Sequence, residues 1–139
     1  MAVCTLFVAT LVAGCRDKGP EFASVEGVVR INGKPERGLL VRLSPDAEKG
    51  NGLPAFASGK TDEQGKYTLK GEYRGKEGTG APVGWHRVTI VDSKVGSTPQ
   101  GQEPKPSAVP FVYGSVTTTP LVIEVKAGGP QTIDLEVKK

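Results

Sequence analysis

From Val25 to Val137 the apolar residues return at every second position in short runs, and each run stops at a turn signal. Val25, Gly27, Val29 and Ile31 alternate with Glu26, Val28 and Arg30, and Leu39, Val41 and Leu43 alternate with Leu40 and Arg42. His86, Val88 and Ile90 alternate with Trp85, Arg87, Thr89 and Val91, and Leu121, Ile123 and Val125 enclose Glu124. Ile133, Leu135 and Val137 are separated by Asp134 and Glu136. Period two sends successive side chains to opposite sides of a strand, so each run has one face for a core and one for water. No stretch sustains a helical period, which makes the chain all-β.

The turns carry as much information as the strands. Ser58 to Leu69 is the organising stretch: Thr61 ends a strand, Asp62 bonds its own backbone, Gly65 supplies a positive φ, and Tyr67 and Leu69 then share a face, reading as a hairpin. Asn32-Gly33 is a second tight turn and Gly128-Gly129-Pro130 a third. Glu72 to Val83 and Asp92 to Ala108 are rich in Gly and Pro and read as surface loops. About seven strands without intervening helices predict an antiparallel β-sandwich, immunoglobulin-like in its strand count. The expected core is Val29, Ile31, Val41, Leu43, Tyr67, Leu69, Val88, Ile90, Ile123 and Leu135.

The first fourteen residues carry no charged side chain and close with Val12-Ala13-Gly14 before Cys15, after which Arg16, Asp17 and Lys18 follow at once. An apolar run this short fits a signal peptide better than a membrane span, which needs about 20 residues. Its end resembles the lipobox of bacterial lipoproteins, and that resemblance implies that Cys15 is acylated and becomes the mature N-terminus. The division expected is a lipoprotein signal peptide over 1–14, a lipidated tether over 15–23 and one sandwich domain over 24–139. The implied location is the bacterial cell envelope, with the lipid in a membrane, an outer membrane being favoured by Arg16 in place of Asp.

Little in the mature part is suited to catalysis. Cys4 leaves with the signal and Cys15 carries lipid, so no thiol remains for a disulfide, a metal or a nucleophile. The net charge of +3 is too small and too dispersed to imply nucleic acid, and no basic cluster with interleaved aromatics appears, so no nucleic-acid partner is expected. His86 is the sole histidine and lies in register with Val88 and Ile90, which makes it a core residue. Zinc fails for want of further ligands, since catalytic sites take three from the protein. Asp62 and Glu63 lack the spacing of a calcium loop, and the glycines of Gly71 to Gly84 precede no helix that would cradle phosphate. No cofactor is expected. Trp85, Tyr73, Phe111 and Tyr113 are the aromatic side chains near loops, each a candidate platform for stacking on a ligand.

Val25-Glu26-Gly27-Val28-Val29 with Asn32-Gly33-Lys34-Pro35, the Thr61-Asp62 to Gly65 turn followed by Tyr67 and Leu69, Pro82-Val83-Gly84 before Val88-Thr89-Ile90, and Leu121 to Val125 together resemble the carboxypeptidase regulatory-like domain. The resemblance implies a transthyretin-like sandwich without catalytic residues, a fold that small bacterial lipoproteins often contain and little else. Two catalytic or cross-linked relatives of that fold do not fit. Hydroxyisourate hydrolases use several histidines and a Tyr-Arg-Gly-Ser tail, whereas this chain ends Val137-Lys138-Lys139. Isopeptide-linked pilus sandwiches need a Lys on an early strand, where this chain has Arg30. The function expected is a structural or protein-interaction module in the envelope, and the alternative is binding of an envelope polysaccharide through exposed aromatics.

Overall fold

The computed structural model describes Gly14, residues 19–96 and residues 98–139. Cys15, the expected acylation site, lies outside the described residues, as do residues 1–13 and 16–18. The chain is all-β, with two 3-10 turns at Ala47–Lys49 and Phe111–Gly114 among the described residues. Its strands are β1 (Phe22–Ala23), β2 (Val25–Ile31), β3 (Lys34–Pro35), β4 (Leu39–Pro45), β5 (Ala55–Lys60), β6 (Lys66–Thr68), β7 (Lys70–Tyr73), β8 (Lys76–Thr79), β9 (Ala81–Pro82), β10 (Gly84–Asp92), β11 (Val122–Val125), β12 (Gln131–Thr132) and β13 (Leu135–Val137).

Two main sheets pack face to face. One has the order β11-β10-β4-β5-β7-β8, all antiparallel; the other is built on β2, flanked by β12 and β13 on one side and by β3 and β6 on the other. Between them lie Val29, Leu39, Val41, Leu43, Tyr67, Leu69, Val88, Ile90, Val125 and Val137, each 2% exposed or less. Eight of the ten expected core residues are buried, and Ile31 and Ile123 pack against them part-buried. The seven expected runs are all present, and short strands join them.

Three features differ from the sequence-based expectation. The Thr61 to Gly65 turn forms as read, with Asp62 Oδ1 accepting from the amides of Gln64 and Lys66, both at 2.9 Å. Its second arm, however, changes sheets: Lys66–Thr68 pairs with β2, and pairing with β5 begins only at Lys70. The returning strand thus ties the two sheets together at Leu69. Second, Glu72 to Val83 is no loop. Arg74 and Gly75 both take positive φ, 50° and 75°, the geometry of a two-residue hairpin turn between β7 and β8. Third, β12 and β13 run parallel to β2.

The ladder between those parallel strands is interrupted at Ile133. Its carbonyl turns into the core and accepts from the Tyr67 hydroxyl, while the Asp134 carboxylate takes the Val28 amide at 2.9 Å in its place. Burial and then the charge of Asp134 hold the Tyr67 phenol far above its ordinary pKa, so it stays a donor. Thr61 does similar bridging work nearby, accepting from Leu39 N at 2.9 Å and donating to Glu36 O at 2.8 Å.

Candidate functional site

The inner face of β10 is filled by His86, Val88 and Ile90, all fully buried. His86 Nε2 lies 2.7 Å from the Pro82 carbonyl, which only accepts, so Nε2 carries the proton. Nδ1 makes no well-formed hydrogen bond, although the Ser44 carbonyl is near enough to favour a proton on the ring. Burial outweighs both carbonyls and pulls the imidazolium below its ordinary pKa of about 6.5. His86 is therefore a neutral core residue. Among the described residues no group of three His, Cys, Asp or Glu side chains is placed to hold a metal ion.

This placement has a pH signature. The unfolded chain takes up a proton on His86 below pH about 6.5 while the folded chain does not, so stability is full above that pH and falls as the solution is acidified toward the depressed folded pKa. One proton sets a ceiling of about 1.4 kcal/mol per pH unit. Urea melts of the native protein and of His86→Phe between pH about 7.5 and 5.5 should show this slope only in the former, because no other histidine exists to produce it. Equal slopes in both proteins would place the ring outside the core.

The outer face of the same sheet is where side chains remain open. Registers set it out in rows: Val91 opposes Leu40, which opposes Lys60, and Thr89 opposes Arg42, which opposes Ser58, which opposes Lys70. Over this face lies the segment from Ser107 to Thr119, fastened at several points. Asp92, itself buried, accepts from Lys94 N and Ala108 N, both at 3.0 Å. Thr119 Oγ1 donates to Val88 O at 2.6 Å, and the Val88 amide donates to Leu121 O at 2.9 Å. Arg87 Nη1 reaches Val116 O at 3.2 Å. Val109 and Tyr113 turn into the core, with the Tyr113 hydroxyl accepting from Lys138 N at 3.0 Å. Phe111, between them on a 3-10 turn, points away from the core and is 94% exposed.

Three depressions result. One of about 570 Å³ is mainly apolar, lined by Leu40, Val91, Val95, Pro110 and Phe111. A second, of about 350 Å³, shares Gly114 with it and is lined by Arg42, Phe56, Ser58, Lys70, Glu72 and Val116. A third, of about 360 Å³, shares Ser93 with the first and gathers Lys60, Lys94 and Lys105. Val91 and Val95, each about two-fifths exposed, line the same depression as Phe111, so these exposed apolar side chains are gathered in one place; Phe56 and Val116, similarly exposed, line its neighbour. Contiguous exposed apolar surface on a folded protein marks a place of interaction.

The four aromatics singled out from the sequence do not come together. Tyr113 is buried, which removes it as a stacking surface. Trp85 is part-buried with the Lys49 ammonium 4.3 Å from its ring centroid, and Tyr73 is part-buried with the Arg74 guanidinium at 5.1 Å. Trp85 stands at the Gly84 end of β10 and Phe111 beside its Asp92 end, about 20 Å away along a strand that rises roughly 3.3 Å per residue. Only Phe111 is open. Sequence reasoning missed the surface around it, because Leu40 and Val91 read merely as outward residues and the long segment after Asp92 as an unpatterned loop. No family model, no curated protein and no solved structure matches the chain.

Proposed function

We propose that the protein is a non-catalytic, lipid-anchored component of the bacterial cell envelope, whose β-sandwich binds another envelope protein through the outer face of the six-stranded sheet. The observation that carries this reading is Phe111: a side chain 94% exposed, on a segment held firmly by Asp92, Thr119 and Arg87, beside an apolar depression. An ordered exposed aromatic beside a pocket is the usual form of an interface anchor. Polysaccharide binding is less well supported, since the faces of Trp85 and Tyr73 are taken by cations. The resemblance to carboxypeptidase regulatory-like domains agrees with a binding module.

The anchor fits the same arrangement. Described chain enters at Gly19, where an added Cβ would meet the Tyr73 ring at 3.2 Å. Tyr73 opposes Ala55, at the end of the sheet opposite Asp92. The chain leading toward the proposed lipid thus joins the sheet at the end remote from Phe111, which supports a docking face turned away from the membrane. Two acyl chains suffice for stable anchoring, at about 0.8 kcal/mol per buried methylene.

Cys15→Ser should abolish labelling by radioactive palmitate and move the protein from the membrane to the soluble fraction. A variant that stays with membranes after its signal is removed would defeat the anchor assignment. A photo-reactive phenylalanine analogue at position 111 should form an adduct with another envelope protein in living cells. Adducts with polysaccharide alone would overturn the protein-binding reading.

A further inference from the structure

We infer that this face recognises an acidic, extended segment of its partner, which seats a bulky apolar side chain beside Phe111 and Leu40 and lays carboxylates over the surrounding lysines. The inference rests on the docking face proposed above and adds the chemistry of its occupant. Charge is the argument. Arg42 and Lys70 line the second depression and Lys60 and Lys105 the third, one on either side of the apolar one, and none of the four has an ion-pair partner among the described residues.

The carboxylates nearby do not offset them. Glu36 pairs with Lys94 at 2.7 Å, and Asp92 is occupied by two backbone amides and lies 3.9 Å from the same ammonium. That leaves Glu72 as the one acid beside Arg42 and Lys70 in the second depression, and no acid among those lining the third with Lys60 and Lys105. Glu103 lines none of the three.

The spacing also suits one extended chain. Leu40 and Lys60 are direct cross-strand neighbours, about 5 Å apart, and Lys70 lies two strands from Arg42. A segment rising roughly 3.3 Å per residue would bring carboxylates over these cations two to four residues from its apolar anchor. A membrane surface is the weaker match. The apolar part is a depression that accepts a side chain, and the chain leading toward Cys15 leaves from the opposite end of the sheet.

A random library of twelve-residue displayed peptides panned against the full chain tests this. Enriched sequences should carry Asp or Glu within four residues of Phe, Leu or Ile. In fluorescence polarisation their affinity should fall at least tenfold in Phe111→Ser, at least tenfold in Lys60→Glu/Lys105→Glu, and steeply with added salt. All three positions are exposed, so unchanged thermal melting is expected and verifies folding. Enriched peptides that need Phe111 but are neutral or basic would overturn the acidic chemistry and leave the docking face standing. Peptides that bind equally without Phe111, or no enrichment, would overturn the occupant and the face together. Flotation with phosphatidylglycerol vesicles that is lost in Phe111→Ser would show a membrane instead, and a Phe111-dependent dimer in sedimentation would show a second copy; either overturns the peptide proposal.

Discussion

Gly27→Ala should lower stability by about 3 kcal/mol or more, the upper end of the usual cost of overpacking, and should unfold the protein at moderate temperature. A methyl group at this position would stand 2.0 Å from the Ile133 carbonyl oxygen and 2.6 Å from its carbon, with the Tyr67 ring at 3.1 Å. Two of these atoms are backbone, so no rotamer change relieves them. The carbonyl is there because it has left the parallel ladder to receive the Tyr67 hydroxyl, and moving it breaks that bond and strains the Asp134 contact to Val28. A chemical-denaturation series measures the loss. Trimming Tyr67 as well should not rescue the variant, since the oxygen remains; a rescued double variant would show the clash to be with the ring.

Gly27 also shows where reading the sequence stops. The alternation through Val25, Val29 and Ile31 announces β2 and its inward face, but the same pattern treats Gly27 as a gap in that face. Its function there depends on Ile133, more than a hundred positions away, passing overhead. The Asp62-Gly65 turn was legible because its chemistry is local, one carboxylate and two amides within four residues. The sheet switch at Leu69 was not, because alternation continues unbroken from Tyr67 to Gly71 whichever sheet each half joins. Arg74-Gly75 gives no turn signal for a related reason. Positive φ at a non-glycine such as Arg74 is uncommon, and Arg-Gly is not among the pairs that announce a tight turn.

The candidate site was legible only in pieces. Phe111 could be named as an aromatic near a loop, together with three others that the fold then disposes of: one buried and two beneath cations. What raises Phe111 above them is its company. Val91 and Leu40 meet it only because β10 and β4 pair in the observed register, and because Asp92 closes the segment that carries Phe111 back over the sheet. The lysines are likewise ordinary along the chain and become a feature once Lys60 and Lys105, without an ion-pair partner among the described residues, share one depression with Lys94.

Ile90→Ala and Val91→Ala should differ sharply, though they change adjacent residues on one strand. Ile90 is fully buried between the sheets, and removing three carbons leaves a cavity whose cost, for this class of substitution, is about 2 to 5 kcal/mol. Val91 is 40% exposed on the opposite face, and its truncation should change stability by no more than about 0.5 kcal/mol. Paired denaturation curves with equal slopes would measure the difference directly. A strand slipped by one residue would reverse the order, because every side chain on β10 would then exchange faces. The pair also separates folding from binding: Ile90→Ala, with its side chain fully buried, should weaken docking only as far as it depopulates the folded state, whereas Val91→Ala should weaken it at full stability, since the exposed Val91 lines the depression that Phe111 lines. If Val91→Ala destabilises as much as Ile90→Ala, that face is covered by the protein itself and cannot be the docking surface.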